Sequence, residues 1–169
     1  MIIGGVYYMR YVMRQKIFSL TDSFTIKDEY GSDIFYVKGR LFSFGHKLSF
    51  CDISGNEMAF IKQKLIALKP SYEIYSGEEL YAVIRKRLFT LFNCRFDIEV
   101  MNGDTIDVQG DIFDHEYTIE RDGRLIATVS KRWFSFTDTY GIDICPGEDD
   151  VLVLSVAVAI DLMCHDDHN

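Results

Sequence analysis

The side chains that could carry chemistry are few and scattered. His46 stands in a Gly-His-Lys turn, and His115 sits in Asp114-His115-Glu116 at the start of an apolar alternation. A histidine activates a nucleophile only beside a serine or cysteine, with a third group to orient it. Neither histidine has such a partner at a recognised spacing. Cys51, Cys94, Cys145 and Cys164 lie far apart without a Cys-x-x-Cys pair. Free buried thiols in a reducing compartment are therefore expected rather than disulfides or a zinc site. The tail His165-Asp166-Asp167-His168 carries donors that suit a divalent ion, but a terminus frays and no second cluster completes a shell. No catalytic residue, metal site or cofactor is expected.

Three charged sets remain. Asp97, Glu99, Asp104, Asp107, Asp111, Asp114 and Glu116 are dense enough to suggest calcium, yet no Asp-x-Asp-x-Asp-Gly loop with a terminal glutamate is present. The alternation Phe96-Asp-Ile-Glu-Val places these carboxylates on the outward face of half-buried strands. Lys62, Lys64, Lys69, Arg85, Lys86 and Arg87 form the basic counterpart, against Glu73, Glu78 and Glu79. Period-two alternation groups Lys62 with Lys64 and Arg85 with Arg87, and aligned hairpins would gather them at one end of a sheet. Scattered, they are edge lysines that suppress aggregation. Asp161 is the third, a lone charge after ten uncharged residues. Buried alone it would cost several kcal/mol, so it must reach solvent or meet a cation or a tyrosine. We read it as a structural clamp between a helix and its surroundings.

The element that must hold Asp161 is Val151–Cys164, nearly unbroken in apolarity and preceded by Pro146-Gly147-Glu148-Asp149-Asp150. As a strand it would run about 45 Å, far beyond the usual five or six residues. A membrane span wants about 20 apolar residues, and Asp161 arrives first. Pro146 suits a first helical turn, and the acids that follow suit the positive end of a helix dipole. A helix apolar on all sides is a buried helix. Ser155 and Ala159, one turn apart, thin one side of it.

Everything upstream reads as short strands. Arg10 to Phe18 opens the series, then Phe24–Lys27, Ile34–Lys38, Leu41–Phe44 and Lys47–Cys51, each bounded by Gly or Asp. Hairpins follow: an aromatic, an Ile two residues on, a glycine turn and a second apolar run. Asn102-Gly103 and Asp122-Gly123 supply the positive φ that tight turns need. About a dozen strands in an open sheet would leave two bare edges, and closure removes them. The expected fold is mainly β, a closed antiparallel barrel around the C-terminal hydrophobic helix, in one domain over 1–169 with its core at about 10–165.

The 169 residues are ordinary in composition apart from 13 Phe and 10 Tyr, and the formal charge is −8. General nucleic-acid binding is disfavoured, because it relies on neutralising phosphates with Lys and Arg. Met1–Met9 has no basic start and no cleavage site before Arg10, so a cytoplasmic protein is expected.

Taken together, RYVMRQKIFSLTDSFTI (10–26), DEYGSDIFYVKGRLFSFG (28–45), HEYTIERDG (115–123), KRWFSFTDTYGIDI (131–144) and VAVAIDLM (156–163) resemble the LURP-one-related family. That family is grouped in the tubby C-terminal-domain-like superfamily with the phospholipid scramblases. The resemblance runs from about Arg10 to His165. It implies a twelve-stranded antiparallel barrel threaded by a C-terminal helix, and no agreed enzymatic activity. No headgroup-binding residue of those relatives is matched here, but their handling of lipids, with local positive charge in an acidic chain, leads us to expect a binding domain with weak affinity for anionic phospholipid headgroups, peripheral to a membrane. The residues here that could serve are Lys62, Lys64, Arg85, Lys86 and Arg87. A structural or protein-interaction module is the alternative, and an enzyme stands a distant third.

Overall fold

Period-two alternation, interrupted by bulges, carries the chain from one short strand to the next and buries its apolar half around a single helix. The computed structural model describes residues 2–3, 6–15, 23–40, 44–67, 70–87, 95–112, 114–131 and 139–166. A small ladder pairs β1 (Ile2–Ile3) with β2 (Val6–Tyr7). The main sheet begins with β3 (Met9–Gln15), β4 (Ser23–Asp28), β5 (Asp33–Gly39), β6 (Lys47–Asp52), β7 (Glu57–Gln63) and β8 (Ser71–Ser76). It continues with β9 (Glu79–Arg87), β10 (Arg95–Val100), β11 (Thr105–Asp111), β12 (Glu116–Arg121), β13 (Arg124–Ser130) and β14 (Thr139–Ile144). The chain ends in α1 (Asp150–Asp166).

Strands β3 to β14 form one closed antiparallel barrel in which, apart from the β14–β3 seam, every neighbour is also a neighbour in sequence. Closure comes from β14 on β3, with Tyr140 opposite Met13 and Ile142 opposite Tyr11. The expected dozen strands and the closed sheet are therefore both present. Alternation is plain in β10, where Phe96, Ile98 and Val100 are buried between polar neighbours, and in β4, where Phe24 and Ile26 are buried. One expected strand is different. Phe44 lies in a bend after β5 rather than in a strand of its own, while 41–43 lie outside the described residues.

Up-and-down winding sorts the connections by end. The β4–β5, β6–β7, β8–β9, β10–β11 and β12–β13 turns gather at one end, where α1 also enters; the longer connections gather at the other. The short turns are closed by side chains as well as backbone. Asp52, for example, accepts the Ser54 and Asn56 amides at 2.8 and 2.9 Å.

Seventeen residues of helix span about 25 Å, enough to thread the barrel. Every residue from Leu152 to Cys164 is buried, so α1 has no solvent face. It runs closest to β7 and β8, where buried Ala59 on β7 and Ala82 on the neighbouring β9 leave room beside large Ile61, Tyr72 and Ile84. Pro146 does not start the helix as its position suggested. Gly147 takes a φ of 83°, which a helix cannot continue, so Pro146-Gly147 form the turn and Asp149 caps the helix by accepting the Leu152 amide at 3.0 Å.

Candidate functional site

Polar side chains reach the helix at its two ends. At the entry end, Asp150 accepts the Tyr11 hydroxyl at 2.6 Å and Asp149 accepts that of Tyr81 at 2.7 Å. The nearly buried Glu148 carboxylate takes Arg124 at 2.7 Å and Arg121 at 3.2 Å. These contacts tie β3, β9, β12 and β13 to the first helical turn, where the dipole favours carboxylates. Burial and the hydrogen bond to Asp149 push Tyr81 up to about 12, and burial and Asp150 raise Tyr11 further.

At the far end lies Asp161, 4% exposed. Its Oδ1 is 2.8 Å from His115 Nε2. His115 leaves the β11–β12 connection with a φ of 52°, a left-handed conformation that histidine tolerates better than most residues. The connection is closed by the Asp114 amide donating to Asp111 at 3.1 Å and the His115 amide donating to Ile112 at 3.1 Å. The His115 ring then lies 4.4 Å from the Tyr140 ring, centroid to centroid. Tyr140 in turn donates to Met13 Sδ at 3.0 Å. Tyr117 and Tyr140 are both held well above the ordinary tyrosine range, by burial first and then by the Asp161 carboxylate. The arrangement joins α1 to β11, β12 and β14 and keeps the last buried carboxylate beside a hydrogen-bonding ring.

Alkali should expose both ends at once. Tyr11, Tyr81, Tyr117 and Tyr140 stay protonated in the fold above the ordinary value of 10.0, whereas the unfolded chain releases those protons. A group raised in the fold contributes stability that is intact below its unfolded value and lost as pH rises through the folded one. Between pH 10 and about 12 the late tyrosinate absorbance should therefore appear together with loss of secondary structure. Complete tyrosine ionisation with the β spectrum intact would contradict this.

The five basic residues singled out in the sequence do not form one patch. Lys62 and Lys64 lie on the outer side at the end of β7, with Lys62 opposite Glu73 of β8 and Lys64 3.3 Å from the same carboxylate. Arg85 and Arg87 lie on the outer side of β9 but face acidic strands. Arg85 meets Glu99 at 2.8 Å, while Arg87 pairs with Asp97 and reaches Asp107 at 3.3 Å. Lys86, opposite Phe96, falls on the lumen side of the alternation. The denser basic face was not evident from sequence spacing. It combines Lys38, Arg40 and Lys47 with Lys62 and Lys64 across β5, β6 and β7, because these strands are adjacent in the barrel. The acidic run is elsewhere, mainly on β10 and β11, which lie four and five strands round from β6.

Other candidates are dispersed. Asp104 pairs with Arg121 at 2.8 Å, and Glu116 accepts Ser130 Oγ at 2.8 Å and the Lys131 amide at 2.9 Å. Among the described residues, no group of three or more His, Cys, Asp or Glu side chains is placed to hold a metal ion. His46 is half-buried near Tyr72, ring centroids 6.3 Å apart. Cys51, Cys145 and Cys164 form no disulfide; Cys164 is buried, whereas Cys51 and Cys145 are half-buried, which corrects the expectation of buried thiols throughout. Lys69, Cys94 and the side chains of the 165–168 tail lie outside the described residues. Among those residues no helix is long and apolar enough to cross a membrane.

Comparison with known proteins agrees with this architecture. The chain is 32% identical over 157 residues to the uncharacterized protein YxjI of Bacillus subtilis (strain 168), covering 93% of this chain and 94% of the relative. Its fold is similar to the X-ray structure of an Arabidopsis thaliana protein, AT5G01750, with a TM-score of 0.70 and 16% identity over 93% of this chain and 91% of that one. The signature of the LURP-one-related family spans residues 9–161, which include twelve barrel strands and the helix as far as Asp161, and the chain belongs to that family.

Proposed function

We propose that this chain is a non-enzymatic binding domain that works from the outside of its barrel, and that its ligand is an anionic phospholipid surface at which it docks weakly. The observation that carries the first half is the helix: with Leu152 to Cys164 buried all round, the lumen is occupied by the chain itself. Barrels that take ligands inside leave that space open. The second half rests on the outward cations Lys62, Lys64, Arg85 and Arg87 with Lys86 at the same barrel end, in a chain whose formal charge is −8.

The ion pairs decide how strong such docking can be. A basic residue close to an anionic membrane contributes on the order of 1 kcal/mol, and an exposed ion pair is worth about 0–1 kcal/mol. Arg85 and Arg87 would exchange one for the other and gain little. Lys64 is 3.3 Å from Glu73, which is also the register partner of Lys62, so these two lysines have one acid beside them and gain more. A protein-interaction module without a lipid role is the competing reading, and the matched arginines of β9 favour it.

Co-sedimentation separates the two. The full chain should pellet with phosphatidylserine-containing vesicles at low salt, be largely released at physiological salt, and ignore neutral phosphatidylcholine vesicles. Lys62→Glu with Lys64→Glu should cost more binding than Arg85→Glu with Arg87→Glu. No binding, or equal binding to neutral vesicles, would leave the protein-interaction reading.

A further inference from the structure

We propose that the barrel end formed by residues 44–47 and 62–67 is the membrane-facing tip, with Phe44, Leu65 and Ile66 entering the headgroup region while Lys47, Lys62 and Lys64 meet lipid phosphates. The inference rests on the phospholipid reading above and specifies the face that docks.

Phe44 is 88% exposed, Leu65 58% and Ile66 95%. Single exposed apolar residues are ordinary on protein surfaces and need no explanation. These three sit on two stretches, 44–46 and 63–66, that the fold holds against each other. The Gln63 amide donates to the His46 carbonyl at 2.8 Å, and the His46 amide donates to Gln63 Oε1 at 3.0 Å. Gly45, at a φ of 72°, lies so close that a Cβ there would stand 2.7 Å from Leu65 Cδ2. Hence the apolar residues project from one braced tip rather than from two independent loops.

The charges beneath the tip argue for an anionic occupant. Lys47 and Lys62 are register partners on β6 and β7, outward on the same face. Like charges directly opposite across a ladder repel; Glu73, on the other side of Lys62, already pairs with Lys64 at 3.3 Å, so an anion between Lys47 and Lys62 would relieve repulsion that Glu73 offsets only in part. Lys64 adds a third ammonium one residue before Leu65. The nearby Arg40 guanidinium is turned to Glu57 at 2.9 Å and lies 4.2 Å over the Phe60 ring, so it takes no part. Apolar side chains ringed by lysines match a phospholipid interface, which offers phosphates above and acyl chains below. The acids of β10 and β11 lie four and five strands round from β6, away from the Lys47–Lys62 pair.

The test uses the full chain and vesicles of phosphatidylcholine with or without phosphatidylserine. Phe44→Ser with Ile66→Ser should lower binding to the anionic vesicles about ten-fold or more. Lys47→Glu with Lys62→Glu should lower it at least as far, at about five-fold per lysine before counting the reversed charge. Arg85→Glu with Arg87→Glu should change it little. All the altered side chains are outward-facing, so thermal melting should stay close to that of the parent. Parent-like binding by the Phe44/Ile66 variant, while the parent still prefers anionic vesicles, overturns the tip and leaves the phospholipid reading standing. Failure of the parent itself to bind anionic vesicles overturns both.

Discussion

Removing His115 from beneath α1 is expected to cost about 3–5 kcal/mol, because it takes a 2.8 Å hydrogen-bond partner away from a buried carboxylate. Asp161 is 4% exposed and its Oδ1 lies 2.8 Å from His115 Nε2. The informative variant is His115→Gly, since glycine suits the φ of 52° and the loss then reports the pair rather than backbone strain. Asp161→Ala removes the other partner and should also destabilise, through an imidazole left between Tyr140 and apolar helix without its hydrogen bond. The double variant should lose much less than the two losses added, with a coupling of about 2–3 kcal/mol, because it leaves no half of the pair behind. For a fold whose total stability is of order 5–15 kcal/mol, either single change should lower the urea midpoint visibly. Additive losses would mean that Asp161 is held by something other than His115.

How much of this could be read from residue order differs from one feature to the next. The buried helix follows from local composition, because a run as apolar as Val151–Ile160 has few soluble alternatives to the inside of a protein. Strands such as Phe96–Val100 and hairpin turns such as Asp122-Gly123 follow from period-two alternation and positive φ, both properties of neighbouring residues. Closure required one step more, that of removing two sheet edges. His115 as the partner of Asp161 was not legible: the two are 46 residues apart, and their meeting depends on how far α1 threads the lumen.

The basic set shows the same limit. Alternation correctly grouped Lys62 with Lys64 and Arg85 with Arg87, and the same rule puts Lys86 on the other side of β9. What flanks each pair is a matter of register. Glu73 lies between β7 and β9, and Asp97 and Glu99 lie beyond β9, so the arginines are matched while the lysines join Lys47 on β6. Residues 47 and 62 became neighbours only once the β6–β7 ladder was in place. Phe44, Leu65 and Ile66 gave no signal in sequence, because exposure of an apolar residue in a loop is a property of the folded surface.

The central claim is that α1 is the core of the barrel rather than an appendage to it. Eight of its buried side chains are Leu, Val, Ile or Met, and each contributes about 1.5–3 kcal/mol on burial. Their sum is on the order of 10–20 kcal/mol, as large as or larger than the net stability of a typical domain. Without them Phe24, Phe50, Tyr72, Phe96 and Ile142 would line an empty, wettable lumen. Urea unfolding of a chain ending at Asp150, followed by far- and near-ultraviolet circular dichroism beside the intact protein, tests this most directly. The truncated chain is expected to be insoluble or molten, with residual β signal, no near-ultraviolet bands and no cooperative transition. A truncated chain that stays soluble and unfolds in one sharp step would contradict it.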